Sequence, residues 1–478
     1  MKVLRSRRLA GLAACAALAL GAAGTAAAVP AQAQARGTAA LAPPPDVASW
    51  GANGGQLGDG TTTDRSRYVD IGFGSNVVQV AAGWTPRFGH GLEVRADGTV
   101  WAWGHNASGE LGDGTTDGRL APVQVTGLTG ATQVAGGCLH SLALRSDGTV
   151  WAWGDNKAGE LGRGTTSDHE ATAAPVSGLT GVTKIAAGCG FSLALRSDGT
   201  LWAWGFNSVG QLGNGSTASS AVPVKITGVS QVTAIAAGWD SAVAIVAGGA
   251  SVWAWGGNDS GQLGDGTLTG RTTPVRVTQI GTVHITGAAV GYRYAAILGT
   301  DGSVWAWGAD NNGQLGNAPA AAPATRPVNT IAAGSGITQI AAGADHMVAL
   351  KSGGTVLAWG DNTNGELGIG TTTPVTGPVQ VTGLTTATQV AAGVRASFAV
   401  HVPQPPAIVP ALAGDTQAQA GQVLQAAGLV LGTVAKVADK FCDHLGLVLS
   451  QTPPPGTAVR PGSAVSITIG GPPPNGCP

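Results

Sequence analysis

Short apolar runs bounded by turn residues follow one another along most of the chain. From Ala131, the runs ATQVAGG, HSLALRS and TVWAWG are separated by glycines and by an Asp-Gly pair, and an extended APV segment follows a Gly-rich loop. Runs this short, rich in β-branched and aromatic residues, predict strands rather than helices. The Asp147-Gly148 pair predicts a hairpin, because a tight turn needs positive φ. Each such unit is therefore expected to fold as a small sheet.

Both faces of this predicted sheet are apolar. In TVWAWG, Trp151 and Trp153 point to one face and Val150 and Ala152 to the other, because successive side chains of a strand alternate. A sheet that is apolar on both faces must be covered on both. The blades of a propeller, each stacked between two similar sheets, meet this requirement.

Two sequence words recur along the chain at a period of about fifty residues, which is typical of propellers. The first is TVWAWG with its Gly-rich loop, and its second Trp falls at Trp50, Trp103, Trp153, Trp204, Trp255, Trp307 and Trp359. The second is AAG or a close variant, and it ends at Gly83, Gly137, Gly188, Gly238, Gly291, Gly343 and Gly393.

The two words are out of phase at the ends of the array. The array opens with the Trp-Gly word at Trp50 and closes with the AAG word in the stretch from Ala387. The last blade can therefore be completed only by joining both ends. We predict an all-β fold over residues 46–402, a seven-bladed β-propeller closed by both termini. Closure removes the exposed sheet edges that would otherwise promote aggregation.

At these residues the array resembles the regulator of chromosome condensation repeat family. The shared pattern is small-Gly, His-Ser-Leu-Ala-Leu, Asp-Gly, Val-Trp-Ala-Trp-Gly, Asn and Gly-Gln-Leu-Gly. The resemblance implies the same propeller fold. It leaves the function open, because the founding member exchanges nucleotide on a small nuclear GTPase and another member is a secreted bacterial inhibitor of β-lactamases.

Residues 1–35 are interpreted as a secretory signal peptide and 36–45 as a short linker. The basic start MKVLRSRR is followed by an apolar stretch and by small residues up to Ala35, the pattern of an export signal. A membrane anchor is the alternative, but the apolar run is short and contains three glycines. Lipidation at Cys15 also stays open, since LAAC resembles a lipoprotein box. We expect a secreted protein with no membrane span once the signal is removed.

Composition and charge narrow the classes of partner. Charged residues make up 11% of the chain, against roughly 25% in ordinary domains. The net charge is −1, so the chain has no basic field to hold nucleic acid. Nucleic acid is therefore not expected as a partner.

The chain continues after the propeller with a Pro-rich linker at 403–410, a small domain at 411–470 and a tail at 471–478. In the domain, GDTQAQAGQVLQAAGLVLGTV predicts a helix leading into a strand, with Val423, Leu424, Ala427 and Leu429 on its apolar side. This region resembles the PASTA domain of penicillin-binding proteins and wall-sensing kinases. The matching motifs are VP at 409–410, AGL at 427–429, SQTPPPG at 450–456 and PGS at 461–463. The resemblance implies an α+β module associated with peptidoglycan, although the insert ADKFCDHL departs from the pattern.

Four cysteines remain after the signal peptide, in an oxidising compartment. Cys442 and Cys477 both lie in the C-terminal region, and we expect them to pair. Cys138 and Cys189 occupy the same repeat position in adjacent blades. They form either a disulfide or two buried thiols.

The sequence contains no recognised catalytic or metal-binding pattern. No His-Glu-x-x-His, Gly-x-Ser-x-Gly or Cys-x-x-Cys motif occurs. His90, His140 and His346 share one repeat position and are interpreted as fold residues. The acidic residues Asp155 and Asp361, each before an Asn, are interpreted as turn residues rather than calcium ligands. We expect no enzyme activity, no metal and no cofactor.

Positions that vary among otherwise similar repeats are where function can reside. Directly after the AAG glycine, several blades carry an aromatic residue, and the next position carries a charge in four blades. Equivalent positions in a closed ring lie on one face, and aromatic side chains interleaved with charges are typical of binding hot spots. Ordinary loop variation is the alternative. The predicted ligand-binding face comprises Trp84, Trp239, Asp240, Tyr292, Arg293, Asp345 and Arg395.

These observations predict a secreted, cell-wall-associated and monomeric binding protein. Its propeller face would bind a protein or glycan, and its C-terminal module would associate with peptidoglycan, so the expected partner is peptidoglycan or a secreted or wall protein. An inhibitor of β-lactamases or penicillin-binding proteins is the first alternative. A guanine-nucleotide exchange factor is the second, supported by the family name alone and opposed by export and by the near-uniform repeat spacing.

Overall fold

The computed structural model describes residues 44–71, 76–85, 89–317, 322–439, 441–459, 461 and 463–474. The proposed signal peptide, residues 36–43 of the linker, Cys15 and Cys477 lie outside the described residues. The predictions made for them therefore stay predictions. Within the described part of the chain, no helix combines the length and apolar character needed to cross a membrane.

The described chain begins with two strands that belong to the last blade, β1 (Asp46–Gly51) and β2 (Arg65–Asp70). Blades 1 to 3 then follow, each a four-stranded antiparallel sheet of consecutive strands. Blade 1 consists of β3 (Val77–Ala82), β4 (His90–Arg95), β5 (Val100–Gly104) and β6 (Arg119–Gln124). Blade 2 consists of β7 (Ala131–Gly136), β8 (His140–Arg145), β9 (Val150–Asn156) and β10 (Ser167–Pro175). Blade 3 consists of β11 (Val182–Ala187), β12 (Phe191–Arg196), β13 (Leu201–Gly205) and β14 (Ser220–Lys225).

Blades 4 to 6 have the same order of strands. Blade 4 consists of β15 (Val232–Ala237), β16 (Ser241–Val246), a short 3-10 segment (Ala247–Gly249), β17 (Ser251–Gly256) and β18 (Arg271–Arg276). Blade 5 consists of β19 (Ile285–Val290), β20 (Tyr294–Gly299), β21 (Val304–Gly308) and β22 (Ala324–Ile331). Blade 6 consists of β23 (Ile337–Ala342), β24 (His346–Lys351), β25 (Val356–Gly360) and β26 (Val375–Gln380).

Blade 7 closes the ring with strands from both ends of the array. Its inner strands are β27 (Ala387–Ala392) and β28 (Ala396–His401), and its outer strands are β1 and β2. Strand β1 pairs with β28 in antiparallel register, from Asp46 opposite His401 to Gly51 opposite Ala396. The inner strand β27 also lies beside β3 of blade 1. The predicted all-β, seven-bladed propeller closed by both termini is confirmed.

One tryptophan in each blade fixes the stacking of neighbouring blades. These seven side chains are fully buried. Each indole Nε1 donates to a backbone carbonyl in the Gly-rich loop of the preceding blade, at 2.7–3.1 Å. The loop glycine lets the chain approach the ring, since a Cβ on Gly213 would lie 2.8 Å from Trp255 Nε1 and its φ is +63°. The recurrence of this Trp is therefore a requirement of the fold.

A second set of contacts between blades involves the recurring histidines. His90, His140 and His346 are buried. Each imidazole Nε2 forms a hydrogen bond of 2.9–3.0 Å with a serine Oγ of the next blade. Burial lowers their pKa values to about 4, 3 and 4, respectively. The imidazoles are therefore neutral at neutral pH, in agreement with their interpretation as fold residues.

The C-terminal domain packs one helix against a small sheet. Its elements are β29 (Ala407–Ile408), α1 (Gln417–Ala426), β30 (Val430–Ala438), β31 (Val448–Thr452), β32 (Ala458–Val459) and β33 (Ala464–Gly471). Strand β33 pairs in parallel with β30 and antiparallel with β31. The helix begins after Thr416, whose side chain forms a capping box with Gln419, which satisfies free N–H groups of the first turn.

The residues predicted for the apolar side of the helix are at least partly buried in the core of this domain, except at one position. Leu424 and Leu429 are buried, but Val423 is 36% exposed. Its assignment to the apolar side was wrong, because adjacent helical residues are about 100° apart and only the face carrying Ala420 and Leu424 is buried.

Candidate ligand-binding face of the propeller

The strand nearest the central channel is the innermost strand of its blade, such as β3 in blade 1 or β27 in blade 7. The loops that follow these innermost strands meet at one end of the channel. Backbone hydrogen bonds join several of these loops to the next blade, for example Trp84 N to Gly137 O at 2.9 Å and Trp239 N to Gly291 O at 3.3 Å. The channel itself holds about 220 Å³ and is lined by inner strands of all seven blades and by Trp84. We call this end of the ring, formed by the residues directly after the AAG glycines, the axial face.

The AAG glycine is required by the close packing of this loop. A Cβ on Gly343 would lie 2.1 Å from Cε1 of His346, the first residue of the next strand. The glycine therefore recurs for a steric reason. The residue after it meets no such demand, since the fold accepts Trp84 in one blade and Ala344 in another.

Three aromatic side chains from different blades converge on the axial face. Trp84, Trp239 and Tyr292, together with Asp345, Asp361 and Arg395, line a cavity of about 300 Å³ that we call the aromatic pocket. The rings of Trp239 and Tyr292 lie 5.0 Å apart between centroids, with an angle of 76° between their planes. They form two perpendicular walls of the pocket.

The aromatic side chains differ in their burial. Trp84 is only 6% exposed, whereas Trp239 and Tyr292 are half-buried. The sequence had predicted all three as loop residues at one ring position. Their common face is as expected, but Trp84 is part of the buried interior as well as of the pocket wall.

The pocket carries charges of both signs. Asp345 accepts a hydrogen bond from Gln314 Nε2 at 3.2 Å. Burial raises the pKa of Asp345 above its usual value, the charge of Asp361 raises it further, and Arg395 and Arg293 oppose the shift. Arg293 is exposed, and its Cζ lies 5.0 Å from the ring centroid of Tyr292. The carboxylates thus stand at the edge of an apolar cavity with arginines close by.

A second cavity, of about 410 Å³, shares one lining residue with the first, Trp239. Its wall includes Phe206, Asp240 and the pair Cys138 and Cys189. The two cysteines are joined in a disulfide between blades 2 and 3, with their Cα atoms 4.6 Å apart. We call this cavity the disulfide hollow.

Acidic side chains of the disulfide hollow are partly desolvated. Asp155, Glu160 and Asp240 all line it, and burial is the main cause that raises the pKa of each. Among the described residues, no cluster of three His, Cys, Asp or Glu side chains is placed to hold a metal ion.

The structure thus brings most of the predicted face together. Trp84, Trp239, Tyr292, Asp345 and Arg395 line the aromatic pocket. Asp240 lines the neighbouring hollow, and Arg293 lies against Tyr292 without lining either cavity. Their role in ligand binding stays a prediction.

Sequence reasoning missed a second set of residues on this face. The residue directly after Trp-Gly also varies between blades, and its backbone N–H donates to an axial loop in every blade, as from Asp361 to Asp345 O and from Phe206 to Gly190 O. Asp361 does accept a turn hydrogen bond from Thr363 N, but it also lines the aromatic pocket. The usable signal was the variation at this second repeat position.

Comparison with protein families agrees with this geometry. The regulator of chromosome condensation (RCC1) repeat matches six consecutive segments, at residues 97–144, 147–195, 198–245, 250–298, 301–350 and 353–400. The chain belongs to the RCC1 repeat family. A PASTA domain is matched at residues 407–471, so both resemblances seen in the sequence are confirmed.

Relatives within the RCC1 repeat family have diverse names. The chain is 30% identical over 298 residues to the Arabidopsis thaliana ultraviolet-B receptor UVR8, covering 61% of this chain and 68% of that protein. It is 32% identical over 290 residues to the human E3 ubiquitin-protein ligase HERC2, covering 60% of this chain but only 5% of that protein. These functions are those of the relatives.

Solved structures of RCC1-like proteins share the fold. Human WBSCR16 superposes with a TM-score of 0.67 at 24% identity, over 75% of this chain and 98% of that one. Prp20p from Saccharomyces cerevisiae gives a TM-score of 0.67 at 23% identity, over 75% and 92%. At this level of identity the likeness concerns the propeller architecture alone.

Proposed function

We propose that this RCC1-repeat protein is a secreted binding protein that holds its partner in the aromatic pocket and associates with peptidoglycan through its PASTA domain. The observation that carries the proposal is the convergence of Trp84, Trp239 and Tyr292 with three charged side chains in one cavity. Large aromatic side chains in a desolvated pocket are typical of interaction hot spots.

Blade stacking does not explain these aromatic residues. Two blades carry Ala344 and Val394 at the same repeat position, and both blades still form complete four-stranded sheets. The partly exposed rings of Trp239 and Tyr292 expose apolar surface, which soluble proteins usually keep covered or use for binding. A bound partner would cover them.

The proposed location rests on three independent features. The N-terminal sequence has the pattern of an export signal. The disulfide between Cys138 and Cys189 suits an oxidising compartment. The PASTA match supports an association with the cell wall. The proposal assigns binding, without catalysis, to the monomer.

The aromatic pocket is tested by affinity capture from cell-wall extract with the full chain. We expect wild-type protein and Trp253→Ala to retain the same partner and Trp239→Ala to lose it. Trp253 is the matched control, since it lies in the same blade, is partly exposed and bonds to Ser251 Oγ at 3.3 Å, outside both cavities. Equal capture by Trp239→Ala would contradict the proposal. Recovery of a β-lactamase or penicillin-binding protein would favour the inhibitor alternative.

The PASTA domain is tested by sedimentation with purified sacculi. We expect the full chain to sediment and a chain ending at residue 402 to stay in solution. Cosedimentation of both proteins to the same extent would move the wall affinity to the propeller.

A further inference from the structure

We propose that the ligand of the axial face is a neutral oligosaccharide, with one sugar ring in the aromatic pocket and the next in the disulfide hollow. This inference rests on the proposed binding function and adds the chemical class of ligand. Three observations carry it: the mixed charges of the aromatic pocket, the arrangement of the rings and the residue, Trp239, that lines both cavities.

In the aromatic pocket, charges of both signs oppose an ionic ligand; the disulfide hollow adds three carboxyl groups, which can accept hydrogen bonds from hydroxyls. Asp345 and Asp361 line the aromatic pocket together with Arg395, and Arg293 is close enough to shift the pKa of Asp345. A cation would meet the arginines, and an anion would meet the two carboxylates. A neutral polyhydroxylated molecule can use both, because a hydroxyl donates to a carboxylate and accepts from a guanidinium.

The arrangement of the rings suits a sugar. Trp239 and Tyr292 stand nearly perpendicular, 5.0 Å apart, so a flat ligand can lie on one ring while its edge meets the other. The C–H face of a pyranose is slightly positive and packs on the negative face of an aromatic ring. Its equatorial hydroxyls then point sideways and can bond to Asp345 and Arg395, which line the same pocket.

The residue shared by the two cavities predicts more than one sugar unit. Trp239 lines both the aromatic pocket and the disulfide hollow. The hollow adds Phe206, which is 41% exposed, as a second aromatic surface. It also adds Asp240 and Glu160, whose carboxyl groups can bond to hydroxyls. Cavities of about 300 and 410 Å³ fall at the lower end of the usual range for ligand sites, roughly 300–1,000 Å³.

The experiment is a titration of the full chain, followed by intrinsic tryptophan fluorescence and calorimetry. The probes are a panel of neutral mono-, di- and trisaccharides that includes the N-acetylglucosamine, glucose and mannose series, with choline as cation and glucuronate as anion. We expect at least one neutral series to bind, more tightly as a trisaccharide than as a monosaccharide, and the two ions not to bind. Trp239→Ala should weaken binding at least about 30-fold, and Trp253→Ala should not change it.

Phe206→Ala separates the two cavities. We expect it to remove the gain in affinity between mono- and trisaccharide while leaving monosaccharide binding unchanged. Binding of choline or glucuronate with no neutral saccharide bound would overturn the assignment. So would a panel in which no saccharide binds.

A failure of this inference is distinguishable from a failure of the proposed function. If capture from wall extract depends on Trp239 and survives periodate oxidation of the extract's glycans, the axial face binds a partner that is not a sugar. The proposed function then stands and the oligosaccharide is rejected. If capture does not depend on Trp239, the proposed function itself is rejected.

Discussion

Two tryptophans of blade 4 have opposite relations to the fold. Trp255 is fully buried, donates from Nε1 to Gln211 O at 2.9 Å and has a counterpart in every blade. Trp239 is partly exposed and lines two cavities, and the other blades carry Trp, Tyr, Cys, Ala or Val at its position. In a repeat protein, recurrence thus marks residues that hold the blades together, and departures from the repeat mark residues available for binding.

The same contrast separates the two kinds of position at the end of each inner strand. Gly238 recurs because a Cβ there would lie 2.4 Å from Gly291 O. The following residue has no such steric limit, since the blades carry side chains there as different as those of Ala344 and Trp239. The main chain therefore has the same geometry in each blade, while the side chain at this position differs between most blades. These side chains form the axial face.

The largest effect is expected from removing the strands that close the ring. A chain starting at residue 71 lacks β1 and β2, and so exposes the edge of β28 that β1 covers from Asp46 to Gly51. Unpaired edges promote association, so we expect aggregation in size-exclusion chromatography. A chain starting at residue 44 is the control and should remain monomeric. A soluble monomer with unchanged melting temperature from the shorter chain would contradict closure by β1.

The second largest effect, on the free energy of unfolding, is expected from Trp255→Ala. Truncating a buried tryptophan costs about 3–5 kcal/mol in unfolding free energy, and here the carbonyl of Gln211 also loses its donor. Trp253→Ala, in the same strand and partly exposed, is the matched control and should cost about 1 kcal/mol or less. Urea unfolding followed by circular dichroism measures both. Equal costs would mean that blade stacking does not depend on the recurring Trp.

Acid should lower the free energy of unfolding, because it protonates the histidines between blades. The effect expected at one such histidine is smaller than that of Trp255→Ala. The folded pKa values of His90, His140 and His346 are lowered to about 4, 3 and 4, so the unfolded chain binds more protons than the folded one below pH 6.5. The stability that these groups contribute is present above pH 6.5 and is lost as the pH falls towards the folded values.

The replacement His140→Phe tests this at one site, because blade 3 carries Phe191 at the equivalent position. Between pH 7 and pH 5, we expect the wild type to lose about 1–2 kcal/mol more unfolding free energy than the variant. The measurement is urea unfolding at both pH values. An identical loss in the two proteins would show that His140 is not buried in its neutral form.

The sequence was sufficient for the fold and for much of the candidate site, for a geometric reason. In a closed ring the position within the repeat determines the place in space, so Trp239, Tyr292 and Arg395 could be assigned to one face before their contacts were known. The out-of-phase words around Trp50 and Ala387 likewise required a shared blade.

The cavities could not be predicted in the same way. Their walls depend on how loops from different strands approach each other, which brings Asp361 beside Asp345 although each alone looks like an ordinary loop residue. The burial of Trp84 and the exposure of Val423 depend on neighbours that periodicity does not specify. The pairing of Cys138 with Cys189 required a distance, 4.6 Å between Cα atoms.

The most direct test of the division between stacking and binding is a comparison of Trp239→Ala with Trp255→Ala by unfolding and by titration. The titrant is the saccharide or wall component that the wild type binds. For Trp239→Ala, we predict an unfolding free energy within about 1 kcal/mol of the wild type and an affinity at least about 30-fold weaker. A Trp239→Ala protein destabilised as much as Trp255→Ala, with its affinity intact, would contradict the account.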